Sequence, residues 1–62
     1  MTAEDPIRRL RHDLSNPLSA ILAEAQLQLL NEASLAPEVV QSFREIEALA
    51  RRMRDVLQSV DS

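Results

Sequence analysis

The sequence predicts an all-α fold: an antiparallel helical hairpin that pairs with a second copy into a homodimeric four-helix bundle. Three observations predict it. Apolar residues recur at steps of three and four along two long segments. Only a few residues separate the two segments. The apolar stripe of the second is wider than one helix–helix contact needs. With 62 residues the chain is expected to form one domain, residues 1–62. A core of that size is marginal alone, and with no cysteine there is no disulfide to support it.

The first helix is expected over about residues 5–31. Asp5-Pro6 supplies a cap residue and then a proline at the first helical position, where its missing N–H costs nothing. Ile7, Leu10, Leu14, Leu18, Ile21, Ala25 and Leu29 then line one face. Residues 31–36 break the pattern. Pro37-Glu38 opens the second helix, expected over about residues 37–60, with Ser34 or Ala36 near its cap. Along it Val39, Phe43, Ile46, Ala50, Met53, Leu57 and Val60 form a heptad seam, which Val40, Leu49 and Val56 widen. So short a connection makes the two helices antiparallel neighbours. A lone hairpin would leave one side of each stripe in water, and a second copy covers it.

Composition excludes several function classes. Without glycine the chain has no glycine-rich loop to cradle a phosphate. Phe43 is the one aromatic residue, too few for stacking on single-stranded nucleic acid, and a net charge of -3 also argues against a nucleic-acid partner. No apolar run approaches the ~20 residues that span a bilayer, so no membrane contact is expected. The acidic start, residues 1–5, does not resemble a signal peptide, and a cytoplasmic location is expected.

The charges are unevenly placed. All seven basic residues are arginine, and Arg8, Arg9, Arg11, Arg51, Arg52 and Arg54 lie near the two ends. Residues 18–50 carry Glu24, Glu32, Glu38, Glu45 and Glu47 against Arg44 alone. Antiparallel pairing would gather the end arginines around His12. They then form either a solvated, salt-bridged surface or a basic rim that meets phosphate-bearing partners.

His12 is the chain's one histidine. On a wheel of ~100° per residue it lies about 160° from the centre of the apolar face, so it points away from the core. Asn16 follows one turn on, ~40° round, and Asp13 is offset by ~100°. Pro17 interrupts the helical pattern, removes one backbone bond at a cost of ~3 kcal/mol and frees the carbonyl of Asp13. A neutral imidazole is a competent nucleophile near neutral pH. A neighbouring carboxylate can orient its ring N–H, and an amide one turn away can hold a water. That set suits phosphoryl transfer, where positioning carries most of the catalysis. One histidine with Asp13 is too small a ligand set for zinc, so no metal is expected. Ser15 and Ser19 share a helix with His12 and lack the turn and oxyanion loop of a serine hydrolase.

Residues 12–18, HDLSNPL, resemble the phosphoacceptor box of the HisKA-type dimerisation and histidine phosphotransfer domains of bacterial sensor histidine kinases: a histidine, an acid, two variable positions, Asn or Thr, then Pro-Leu. Residues 45–57, EIEALARRMRDVL, resemble the matching second helix through Arg52-Met53 and Val56-Leu57, and residues 34–38, SLAPE, its usual entry. The resemblance implies a two-component function on a dimeric four-helix bundle. His12 would accept phosphate from ATP and pass it to an aspartate of a response regulator receiver domain. Asp13 would act as general base or hydrogen-bond partner. Asn16 would orient the water of the phosphatase reaction, and Pro17 would be a bend point.

The implied partners are a second copy, the receiver domain, and a histidine-kinase ATP-binding domain acting in cis or in trans. Ser15, Ser19, Leu22, Ala23 and Arg54 are candidate receiver contacts. The ATP-binding domain's glycine-rich boxes do not occur in these residues, so ATP with magnesium would be bound by that other domain and no cofactor by this chain. The chain is then expected to be a piece of a longer kinase that is inactive alone. The alternatives are a catalytically silent dimerisation hairpin and a stand-alone phosphorelay adaptor.

Overall fold

A computed structural model describes residues 6–59 as two long helices joined by a tight connection. Helix α1 spans Pro6–Leu29 and helix α2 spans Pro37–Ser59, with a short 3-10 turn at Glu32–Ser34 between them. No strand occurs among the described residues. The hairpin is the one the sequence predicts. Asp5 and Val60, the expected outer ends, lie outside the described residues.

Helix α1 stops two residues short of its expected end at Asn31. The Leu30 N–H donates to both Gln26 and Leu27 carbonyls, and the Asn31 N–H donates to Gln28. These three-residue bonds tighten the last turn and satisfy carbonyls that a helix end leaves open. The chain then turns without glycine, and no described residue has positive φ. Ser34 donates its backbone N–H and its hydroxyl to the Asn31 carbonyl, so its side chain does not cap α2. Ala36 stands at that cap: its carbonyl accepts from Val39 and Val40. Arg44 on α2 reaches back to Glu32 with two 2.9 Å hydrogen bonds, a bidentate pair that ties the connection to the helix. Both side chains are half exposed, so the pair contributes little to stability.

The helices touch along a narrow line. Leu18, Ala25 and Ala50 are the buried apolar residues among those described. Two of the three are alanines, which lets the backbones approach closely. The rest of the predicted stripe points sideways. Ile7, Leu10, Leu14, Ile21, Val39, Ile46, Leu49, Met53 and Val56 are between 38% and 55% or, for Leu49, 59% exposed. One hairpin thus satisfies only the centre of its stripe and leaves a broad apolar flank open. Leu27 and Leu30 lie off that flank and are exposed as well.

Helix α1 runs unbroken through Pro17. The helix keeps this residue at the expense of one backbone bond to the Asp13 carbonyl. Pro17→Ala is expected to restore that bond and stabilise the hairpin by roughly 1–3 kcal/mol. Thermal melts at one fixed chain concentration measure this, and a lower midpoint for the variant would show that the proline costs the fold nothing.

Candidate functional site

The candidate site lies on the side of α1 away from the buried line. His12 is set in the second turn of an amphipathic helix that packs Leu18 and Ala25 into the buried line, so the 3.6-residue period alone turns its ring outward. Its side chain is 78% exposed and that of Asp13 is 65% exposed. The imidazole Nδ1 stands 3.7 Å from the Asp13 Oδ1. That is ion-pair distance but longer than a hydrogen bond, so a small rotation of either side chain closes it. Asn16 follows one turn on and is exposed, with its amide hydrogen-bonded to neither residue. The structure therefore brings His12 and Asp13 together and leaves Asn16 on the same exposed face, ready for a third molecule.

Two backbone features sit under this face. Pro17 leaves the Asp13 carbonyl without its helical donor. The Ser15 hydroxyl donates to the Arg11 carbonyl at 2.7 Å, a back-bond that favours helix bending. Both defects fall within five residues of His12.

Below the histidine a groove of about 220 Å³ runs between the helices. Ser15, Ser19, Leu22 and Ala23 line it from α1, and Arg54 lines it from α2. All five residues singled out from the sequence as contact candidates thus share one groove. Its floor is Leu18 and Ala50. Gln26 and Gln58 complete its wall and were not singled out. Their spacing carried the signal: Gln26 is seven residues after Ser19, and Gln58 four after Arg54, on the same stripes. Leu18 and Ala50 at the base, with amides and a guanidinium at the rim, give the groove an apolar floor and a hydrogen-bonding edge.

The arginines divide on inspection. Arg51 pairs with Glu47 at 3.2 Å, one turn away. Arg54 stands 3.9 Å from Asp55, a loose pair that leaves its guanidinium available to the groove. Arg52 has no ion-pair or hydrogen-bond partner among the described residues, and it borders the open apolar flank of α2 beside Leu49, Met53, Val56 and Leu57. Among the described residues no group of three His, Asp or Glu side chains is gathered for a metal ion, and no helix is long and apolar enough to cross a membrane.

Comparison with known proteins returns one family. A family model described as the His Kinase A (phospho-acceptor) domain matches residues 5–61, almost the whole chain. No curated protein and no solved structure matches.

Proposed function

Because the chain belongs to the His Kinase A phospho-acceptor family, we propose that His12 takes the γ-phosphoryl group of ATP and passes it to an aspartate of a response regulator receiver domain. The observation that carries this reading is the exposed His12–Asp13 pair about one turn from a groove between the two helices. Asp13 stands on the Nδ1 side of the ring, where a small rotation lets its carboxylate accept the Nδ1–H and leaves Nε2 with a free lone pair. That lone pair attacks the γ-phosphorus, the bond to the bridging oxygen breaks, and ADP leaves. ATP and its magnesium are held by a histidine-kinase ATP-binding domain, in cis or in trans, because this chain has no glycine-rich phosphate loop. The receiver domain seats on the groove, where Ser15, Ser19, Leu22, Ala23 and Arg54 meet it.

The hairpin works as a homodimer. Its open flank of half-exposed aliphatic side chains runs along both helices, and two such flanks facing each other complete a four-helix bundle. Burying each of these side chains favours association by roughly 1–2 kcal/mol.

Incubation with a histidine-kinase ATP-binding domain and labelled ATP tests the phosphoryl transfer. An acid-labile label on the chain supports it, and no label sinks it. Label that arrives only from a phosphorylated receiver assigns the chain as a relay adaptor instead.

Asn16 has a separable role. Its exposed amide, one turn below the histidine, orients the water that hydrolyses the receiver's aspartyl phosphate. Asn16→Ala is expected to take up label at the parent rate and to slow receiver dephosphorylation by at least about tenfold. A parallel fall in both rates would contradict this division.

A further inference from the structure

We propose that each phospho-acceptor site is completed across the dimer: Arg52 of the partner subunit holds the Asp13 carboxylate and so positions it on the His12 ring. The inference rests on the dimer reading above and goes beyond it.

The argument starts with height along the bundle. Asp13 lies sixteen residues before the end of α1 at Leu29, and Arg52 lies fifteen residues after the start of α2 at Pro37. Both helices rise by ~1.5 Å per residue from the same turn, so the two residues stand within about one turn of each other along the hairpin. A two-fold axis parallel to the helices keeps that level in the second copy. Asp13 of one subunit and Arg52 of the other are therefore within about a turn along the bundle, a span that an arginine side chain covers.

The flank is the second part. Asp13 is seven residues before Ala20 and eleven before Glu24, which places all three on one helical stripe. Ala20 and Glu24 border the open apolar hollow that Ile21, Phe43 and Ile46 complete. Asp13 thus edges the side of α1 that a second copy covers. Arg52 edges the same side of α2, beside Leu49, Met53 and Val56. In a cyclic bundle α1 has two neighbours, its own α2 and the partner's α2. The edge of α1 that carries Asp13 meets the edge of the partner's α2 that carries Arg52.

Chemistry makes the contact useful. Within one hairpin Asp13 is mostly exposed and only 3.7 Å from His12, and Arg52 has no ion-pair or hydrogen-bond partner among the described residues. A guanidinium fork can hold one carboxylate oxygen while the other accepts the Nδ1 proton. The Asp13 carbonyl freed by Pro17 is a second acceptor at the same place, since Pro17 follows Asp13 by one turn. Arg52 is thereby a positioning residue that acts through Asp13.

Subunit mixing on the whole chain tests this, with phosphoramidate as a small phosphoryl donor that needs no partner domain. Arg52→Ala is expected to label about tenfold more slowly than the parent, while sedimenting as the same dimer. Arg52→Lys recovers part of the loss. In the Asp13→Asn background Arg52→Ala adds no further loss, which a merely structural role would not produce. Refolding Arg52→Ala chains with an excess of His12→Gln chains restores the rate, because the unlabelled subunit lends its arginine. The His12→Gln, Arg52→Ala double variant does not restore it. A parent-like rate for Arg52→Ala, or a loss that persists in mixed dimers, overturns the inference and leaves the phospho-acceptor reading standing. A monomeric parent chain overturns the dimer reading and this inference together, and is recognised by sedimentation alone.

Discussion

The His12→Gln chain is expected to take up no acid-labile phosphate while keeping its helical content and its oligomeric state. The loss should exceed ~1,000-fold, to background, because no other side chain offers an imidazole nitrogen. A phosphoryl group on nitrogen is lost in acid, whereas one on Ser15 or Ser19 is not, so acid treatment separates the sites. The fold should not notice the change. The His12 side chain is 78% exposed, with the Asp13 carboxylate 3.7 Å away. Exposed substitutions of this kind fall within about 0.5 kcal/mol. Labelling assays with circular dichroism and sedimentation check both halves. Label that survives in His12→Gln would move the phospho-acceptor elsewhere.

The second large effect is expected at Met53. Met53→Glu should convert the dimer to monomer and lower helical content at micromolar concentration. Met53 lies at the middle of the open flank, half exposed in one hairpin, among Leu49, Val56 and Leu57. Each dimer carries the substitution twice, so two carboxylates enter the interface that two thioethers had filled. Loss of burial costs roughly 2 kcal/mol per side chain, before the desolvation of the charge is added. Dimerisation should weaken by at least ~1,000-fold. Leu30→Glu is the matched control: Leu30 is 84% exposed at the turn and off the flank, so its effect should stay within about 0.5 kcal/mol. Sedimentation across a concentration series measures both. A Met53→Glu dimer as tight as the parent would remove the flank from the interface.

These contrasts also mark what could be read from the sequence. The helices were legible because their apolar periods and their opening prolines agree, and Pro6 and Pro37 head α1 and α2. The outward direction of His12 followed from the same period. The connection was less legible. The 3-10 turn at Glu32–Ser34 has no glycine signal, and it arises from backbone bonds that the Ser34 and Leu35 N–H groups donate to the Asn31 and Glu32 carbonyls. The Glu32–Arg44 pair joins residues twelve apart, which only the folded turn brings together. The core was legible in outline and not in detail. Large side chains dominate a periodic stripe, yet Ala25 and Ala50 are the most buried residues described, because small side chains sit where backbones come closest. At the candidate site, the exposed placement of His12, Asp13 and Asn16 followed from spacing, whereas the groove's floor depended on where α2 crosses α1. Arg52 could be grouped with the other arginines by charge, but its separate side of the helix emerged only from its apolar neighbours.

The narrow buried line has a consequence for dosage. With Leu18, Ala25 and Ala50 as its buried apolar residues, one hairpin has little to hold it folded before it meets another. Folding and association then become a single concentration-dependent event. In the proposed dimer, where the chain is scarce, the number of competent sites would grow with the square of its abundance, so halving expression would remove three quarters of them. In the proposed bundle, stray chains would stay silent: a hairpin that had not found its twin would have no stable surface on which to carry a phosphate.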